Sequence, residues 1–479
     1  MTRGLLCLRP MQNGYAGNPP GPLYCPPAVQ LPQSIGHHVH RTLLLAAPVM
    51  LARAGLVFML AADTILVGRA GGHELAFLAI SMAPQLIMVT VGTGLLLGTV
   101  VLTAQADGAG RLTECGRIWR LALLIAGALG ILFALLQWQG AWLLRLIGES
   151  EAIAVGGGRV LAVWAFGMPG LMLYMATTSF LEGITRPRAA MVVSLAANLV
   201  NFALAWALVF GHAGLPSLGA VGAALATTIT RWLMFVVLAI YALTMRDGAR
   251  FGVREPIGGY YHLAGHLLFL GLPVALSVAF ESTAFSGATF IAGWLGETPL
   301  AAYQLSINVT SFFYMLTLGL ATATAVRVGN AVGRGSQKDV ARAGWVAVSL
   351  VVLLMAIIGG AIRFARGPIA GLYTTNSAVA LAALPALAAI SFLVVFDGIQ
   401  GVLTGALRGL ADVRWPMASA GVAFWGCALP LCYYFGFRRA MGAEGLIWGL
   451  IAGLIVASVL LGSRFAVMAR RRVQAFGRR

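Results

Sequence analysis

The sequence predicts an all-α polytopic membrane protein, with twelve transmembrane helices arranged as two parallel six-helix lobes. Three observations carry that prediction. The first is composition: of 479 residues, 59% are hydrophobic and only 10% charged, whereas soluble domains carry about 25% charged residues. A soluble fold so poor in charge would have to leave most of its apolar surface in water. The second is a succession of twelve apolar segments, each long enough to match the roughly 20 residues that a helix needs to cross the hydrocarbon core. The third is an internal repeat at an offset of about 225 residues.

Residues 1–40 are rich in Pro, Gly and Asn and contain no long apolar run. The stretch GLLCL is too short to be the core of a secretory signal, so a disordered cytoplasmic extension is expected, with Met11 as an alternative start. Apolar segments then follow at 43–68, 76–106, 118–140, 160–182, 189–211, 218–243, 264–293, 299–332, 344–364, 380–407, 416–436 and 445–468. Nothing between Leu43 and Met468 is polar enough or long enough to form a soluble domain, and there is no GxxxxGK[ST] phosphate loop. That argues against an ATP-driven pump, and the chain is not read as an enzyme. No cofactor is expected.

The repeat pairs LAFLAIS at Leu75 with LAAYQLS at Leu300, Pro48 with Pro273, and QADGAG at Gln105 with NAVGRG at Asn330, each at a shift of 225. LEGITR at Leu181 matches LTGALR at Leu403 with a shift of 222, and GAVGAA at Gly219 matches GAEGLI at Gly442 with a shift of 223. The expected organisation is therefore a first lobe at 41–246, a basic linker at 247–263, a second lobe at 264–470 and a basic tail at 471–479. Six spans per lobe is an even number, so both lobes enter from the same side. Parallel repeats of this kind place a substrate path between the lobes and imply alternating access, which suits a transporter better than a receptor.

A net charge of +17 raises the question of nucleic acid, and the placement of the charge answers it. Of 31 Arg and one Lys, counting residues in a span's end turn with the adjoining loop, 22 fall in the termini and alternate loops, seven in the other loops and three (Arg53, Arg231 and Arg327) deeper within spans. That alternation is the positive-inside pattern, so the partner is the bilayer and not nucleic acid. Both termini are expected to be cytoplasmic, and nothing in the chain asks for more than a monomer. Cys7, Cys25, Cys115, Cys427 and Cys432 show neither metal nor disulfide spacing. The His37, His38 and His40 cluster and the His262/His266 pair read as solvated or interfacial side chains. Pro48 and Pro273 interrupt helix hydrogen bonding and mark spans 1 and 7 as kinked, either as gates or as packing features.

Only four acids lie clearly within spans: Asp63, Glu182, Glu281 and Asp397. An acid at a helix centre costs roughly 2.5–3.5 kcal/mol on insertion, so such residues are candidate functional groups. The repeat does not duplicate them: Asp63 stands 15 residues after Pro48 and Glu281 eight after Pro273, a difference of about 10 Å in depth. Asn198 and Asn201 on span 5 accompany Asp63 in the first lobe. In the second, Gln400 shares the face of Asp397, and Gln304 and Asn308 on span 8 form a further amide pair. A carboxylate removed from water resists ionisation, which suits it to taking up and releasing a proton. The same oxygens could hold Na⁺ at Glu281 and Asp397, or an organic cation. The competing reading is structural pairing with Arg53, Arg231 or Arg327. Arg53 lies ten residues from Asp63, about 15 Å along the helix, and is expected to reach toward the cytoplasmic surface.

The segments ADTILVGRAGGHELAFLAIS (62–81), FLEGITRPRAAM with NLVNFALAWALVFG (180–211), GAVGAALAT (219–227), FESTAFSGATFIAGWLGETPLAAYQLSINV (280–309), RVGNAVGRG (327–335) and FDGIQGVLTGALRGLADVRWPM (396–417) resemble the multidrug and toxic compound extrusion (MATE) family, its NorM-like branch in particular. The resemblance runs unbroken over about 41–470. It implies a two-bundle exporter in a bacterial inner membrane that exchanges organic cations for H⁺ or Na⁺. By motif position, Asp63 answers to the family's first-helix acid, Glu281 and Asp397 to the second-lobe coupling pair, Glu182 to an acidic position of span 5 and Asn201 to a first-lobe amide. Two positions depart from the pattern: Leu393 stands where a Tyr is common four residues before the span 10 acid, and Ala205 where a second Asn is common. Both weaken Na⁺ coordination and favour H⁺. The alternative reading is a related flippase for lipid-linked sugars or other amphiphiles, whose cavity should be lined by Arg and Lys.

Overall fold

The computed structural model describes residues 35–214, 216–255, 262–374 and 376–470. Expectations for residues 1–34, the tail at 471–479, Cys7, Cys25 and the middle of the linker lie outside the described residues, as do those for the side chains of His37, His38 and His262. Twelve of the described helices are long and apolar enough to cross a membrane. In chain order they are α1 Ile35–Ala70, α2 Gly72–Gly108, α3 Leu112–Trp138, α4 Glu151–Gly183, α5 Arg188–Phe210, α6 Gly219–Thr244, α7 His262–Trp294, α8 Glu297–Gly333, α9 Gln337–Tyr373, α10 Ser377–Gly409, α11 Arg414–Arg438 and α12 Gly442–Arg470. Each expected span coincides with one of these helices; 118–140 overruns the end of α3 by two residues, and 189–211 and 218–243 overrun α5 and α6 by one each. Most helices run past the apolar segment, because polar residues at the membrane surface continue the helix at little cost. Among the described residues the additions are a short helix at Gly140–Leu146 between α3 and α4 and a 3-10 turn at His212–Gly214 between α5 and α6.

The helices end where the chain supplies a stop. Ser336 accepts the Asp339 amide at 3.4 Å ahead of α9, and Asn376 accepts the Ala378 amide at 3.0 Å ahead of α10, both as N-caps. Gly211 closes α5 at φ 76°, a left-handed position that glycine adopts without strain. The two kink candidates behave alike: α1 and α7 continue as helices through Pro48 and Pro273.

The largest apolar cores are one per lobe. Trp119, Met168 and Phe180 anchor the first; Tyr303, Ile390 and Phe424 anchor the second. With twelve crossings the described ends, at Ile35 and Arg470, lie on one side, together with the Arg-rich loops; this is termed the basic side. The lobes join through the halves of their helices nearest it. There α2 packs on α7 and α8, and α1 on α8 and α9. Gly108 lies against the backbone of Asn330, and Gly333 against that of Gln105, with no room for a Cβ at either glycine. Across the same seam the Gln105 amide donates to the Gly409 carbonyl at 3.0 Å, and Arg327 donates to Thr42 at 3.1 Å.

The structure also corrects the repeat register near the ends of α4 and α10. Thr185 and Ala411 are the non-glycine residues with φ near 60° that follow these helices, and each amide returns to a carbonyl three residues earlier. The turns therefore align LEGITR with LRGLAD at a shift of 226, not with LTGALR at 222. In that register Glu182 is the counterpart of Arg408. The sequence comparison missed it because the charge changes sign.

Candidate functional site

Three polar clusters occupy the interior of the bundle. In the first lobe Asp63 on α1 is 2% exposed. Its Oδ2 accepts from the Thr227 hydroxyl on α6 at 2.5 Å, and the buried Asn201 amide on α5 donates to the same hydroxyl at 3.3 Å. One turn further along α6, Arg231 lies within electrostatic reach of Asp63. With its amide oxygen turned toward Arg231, Gln85 on α2 accepts from Nη2 at 2.7 Å and from Nη1 at 3.0 Å. Gln137 on α3 contacts Gln85 in turn. Five helices thus converge on one network, while Asp63 Oδ1 and Asn201 Oδ1 stay buried without a hydrogen-bond partner.

The second cluster lies in the other lobe. Glu281 on α7 is half-buried, and its carboxylate meets the Gln400 side chain on α10 and the Tyr314 phenol on α8. Asp397, one turn before Gln400, is 4% exposed and within electrostatic reach of Glu281. Arg408 approaches Glu281 and Tyr314 from the basic side, with its Nε buried and without a hydrogen-bond partner. Asp397 and Arg408 are eleven residues apart, three helical turns, so they share one face of α10. The next residue after Arg408 is Gly409, whose carbonyl holds the inter-lobe contact from Gln105.

The third is an ion pair. Arg53 on α1 reaches Glu182 at 3.6 Å, with side chains 14% and 1% exposed. Two expectations change here. Arg53 does not extend to the surface, since Glu182 gives it a partner inside the lobe. Glu182 belongs to the last turn of α4 and not to the fifth span, so it stands at the basic-side end of the lobe and apart from Asp63. In the corrected register this pair and the Glu281–Arg408 approach are the same arrangement with the charges exchanged: base on the lobe's first helix in one, acid in the other.

Three amides named from the sequence are not brought to the acids. Asn198 donates to the Ser194 carbonyl of its own helix at 2.7 Å. Gln304 and Asn308 are exposed on α8, and the Asn308 amide donates to the Gln304 carbonyl at 3.0 Å. They lie about 9–15 Å nearer the non-basic side than Tyr314. Conversely, the structure adds Thr227, Tyr314, Gln85 and Arg408 to the clusters. The spacing of Thr227 four residues before Arg231 was a legible signal. Arg408 follows the last long apolar run of α10, so hydropathy alone assigns it to the loop.

Leu393 and Ala205, the two departures, are fully buried and bring no oxygen to either cluster. No group of three or more His, Cys, Asp or Glu side chains suited to a bound metal occurs among the described residues. Cys115, Cys427 and Cys432 are free thiols.

The MatE family model matches the chain twice, at residues 48–207 and 273–434, two stretches whose starts repeat the 225-residue offset. The probable multidrug resistance protein NorM of Caulobacter vibrioides is 33% identical over 427 residues, covering 89% of this chain and 91% of that protein. The multidrug resistance protein NorM of Burkholderia vietnamiensis is 34% identical over 440 residues, covering 91% and 95%. Among solved structures, the eukaryotic MATE transporter AtDTX14 superposes with a TM-score of 0.82 at 21% identity, covering 91% of this chain and 98% of that one. An outward-facing multidrug resistance MATE family transporter gives 0.82 at 20% identity, covering 91% and 97%. A doubled family match and relatives of this similarity along nearly the whole length place the chain, a multi-pass membrane protein, in the MATE family of transporters.

Proposed function

We propose that the protein is a secondary active multidrug efflux antiporter, exporting organic, mostly cationic amphiphiles in exchange for H⁺ or Na⁺. The observation that carries this reading is the second-lobe cluster, in which Glu281 and Asp397 face one another's charge beside Gln400 and Tyr314. A pair of carboxylates beside an amide and a phenol offers negative charge and oxygen atoms to one monovalent cation. In this reading Asp63 serves the first lobe as a protonation or substrate site, with Asn201 and Thr227 holding it. The lobes at 41–246 and 264–470 are the moving bodies, both termini are cytoplasmic, and the protein works as a monomer in a bacterial inner membrane. The basic-side seam then closes the cytoplasmic route, which corresponds to an outward-facing state.

The aliphatic side chains at Leu393 and Ala205 favour the proton as coupling ion. A flippase cavity would need uncompensated positive charge, whereas Arg53, Arg231 and Arg408 each face a carboxylate. The test is transport of a fluorescent organic cation in everted vesicles, at matched expression, under a pH or a Na⁺ gradient. A pH gradient alone is expected to drive accumulation, and Asp397→Asn to reduce it at least tenfold. Transport that requires Na⁺ reverses the ion assignment. An Asp397→Asn variant that transports like wild type removes the coupling role. Flipping of a lipid headgroup in the absence of dye transport favours the flippase.

A further inference from the structure

On the non-basic side of the second lobe, α11 and α12 leave an apolar groove open along the outside of the bundle. Phe435, Met441, Trp448, Ile451, Ala452 and Ile455 line a volume of about 300 Å³. The groove is a consequence of how the two helices meet. Gly445, Gly449 and Gly453 follow one another turn by turn on α12 and press against the backbones of Phe435, Cys432 and Ala428, the small-residue packing that brings membrane helices close. The backbone of α11 is π-helical over Gly421–Ala428 and Tyr434–Arg438, a wider turn that sets Phe435 aside. Ala452 is too small to fill the space left. From Gly442 to Ile455 the groove runs about 20 Å along α12, enough to cross one leaflet of a hydrocarbon core about 30 Å thick.

At the surface end of this groove stand Arg438 and Arg439, both exposed. Neither has an ion-pair partner among the described residues. Arg439 lies over the Tyr434 ring at 5.8 Å. The acid nearest in sequence, Glu444, is taken by the Trp448 indole N–H at 3.1 Å. These two arginines run against the charge pattern of the chain, which places only seven of its 32 basic residues in the loops of this side. Adjacent guanidinium groups bind phosphate oxygens in a bidentate manner, and an apolar channel leading down from them matches an acyl chain. We propose that this groove is a binding site for an anionic glycerophospholipid, with one acyl chain along α12 and the phosphate on Arg438 and Arg439. Trp448 also meets Phe392 of α10 at 5.9 Å between ring centroids. The bound lipid therefore braces the helix that carries Asp397.

The experiment uses the full-length protein in phosphatidylcholine bilayers doped with brominated lipid, a contact quencher of tryptophan. The readout is the quenching lost on Trp448→Phe, which isolates that ring from the other tryptophans. Brominated phosphatidylglycerol is expected to quench Trp448 at least three times more effectively than brominated phosphatidylcholine at equal mole fraction. R438Q/R439Q is expected to abolish that preference while leaving phosphatidylcholine quenching in place, and Ala452→Phe to lower quenching by both lipids. Equal quenching by the two lipids in the otherwise wild-type protein means ordinary lipid contact and overturns the proposal. So does a preference that survives R438Q/R439Q.

Discussion

Arg53 shows how a single side chain decides between surface and interior. Its stem is long enough to reach water, yet the partner on α4 holds it inside, 3.6 Å from Glu182. An ion pair removed from water survives when the charges compensate each other, and removal of one partner leaves the other exposed to the full desolvation cost. Glu182→Gln or Arg53→Met alone is expected to lower stability on the order of 3 kcal/mol, measured as a drop in thermal unfolding midpoint in detergent. The double variant should recover most of the loss. A double variant as unstable as the sum of the singles would show that the two side chains act separately. The mirrored approach of Arg408 to Glu281 carries the opposite signs. That places the acid on α7, the second lobe's first helix, where under the proposed function an incoming cation would compete with a built-in guanidinium.

At the scale of the element, the second lobe depends on how closely its last two helices approach. The turn-by-turn glycines of α12 let α11 come within backbone contact, and the membrane gives no hydrophobic drive to replace that fit. Gly449→Leu is expected to destabilise by about 2 kcal/mol through overpacking against Cys432, seen as a lower unfolding midpoint. Gly293→Ala, on α7 with nothing within 4 Å of a new Cβ, should leave the midpoint unchanged. An equal effect at both positions would point to loss of glycine as such and not to the helix contact.

At the scale of the whole molecule, the proposed alternating-access cycle requires the seam between the lobes to open. A Cβ on Gly329 would stand 3.0 Å from the Ala104 Cβ, slightly inside the range of about 3.5–4.5 Å that disulfides span. In a background with the five native cysteines replaced, Ala104→Cys/Gly329→Cys should form a bond across the lobes on oxidation. Dye transport is expected to fall at least tenfold when the bond is closed and to return on reduction. Undiminished transport in the cross-linked protein would mean that this seam is not the moving interface.

The sequence by itself determined the class, the number of spans and the doubled plan, because hydropathy is a property of composition over about twenty residues and needs no tertiary contact to be read. It also located the four intramembrane acids, since an ionisable group in an apolar run stands out against its neighbours. The resemblance of its motifs to the MATE family then agreed with the family match and the similar relatives. Only the tertiary structure decided which polar groups meet. Asn201 turns to Thr227 and Asp63, while Asn198, one turn away on the same helix, bonds to its own backbone. Tyr314 and Arg408 enter the second-lobe cluster from helix positions that carry no distinguishing pattern. Which side chains face each other depends on helix rotation and crossing, set by close packing such as Gly405 on the Ala321 backbone. A one-dimensional pattern fixes depth along a helix axis, but the partner across the gap belongs to a different stretch of chain.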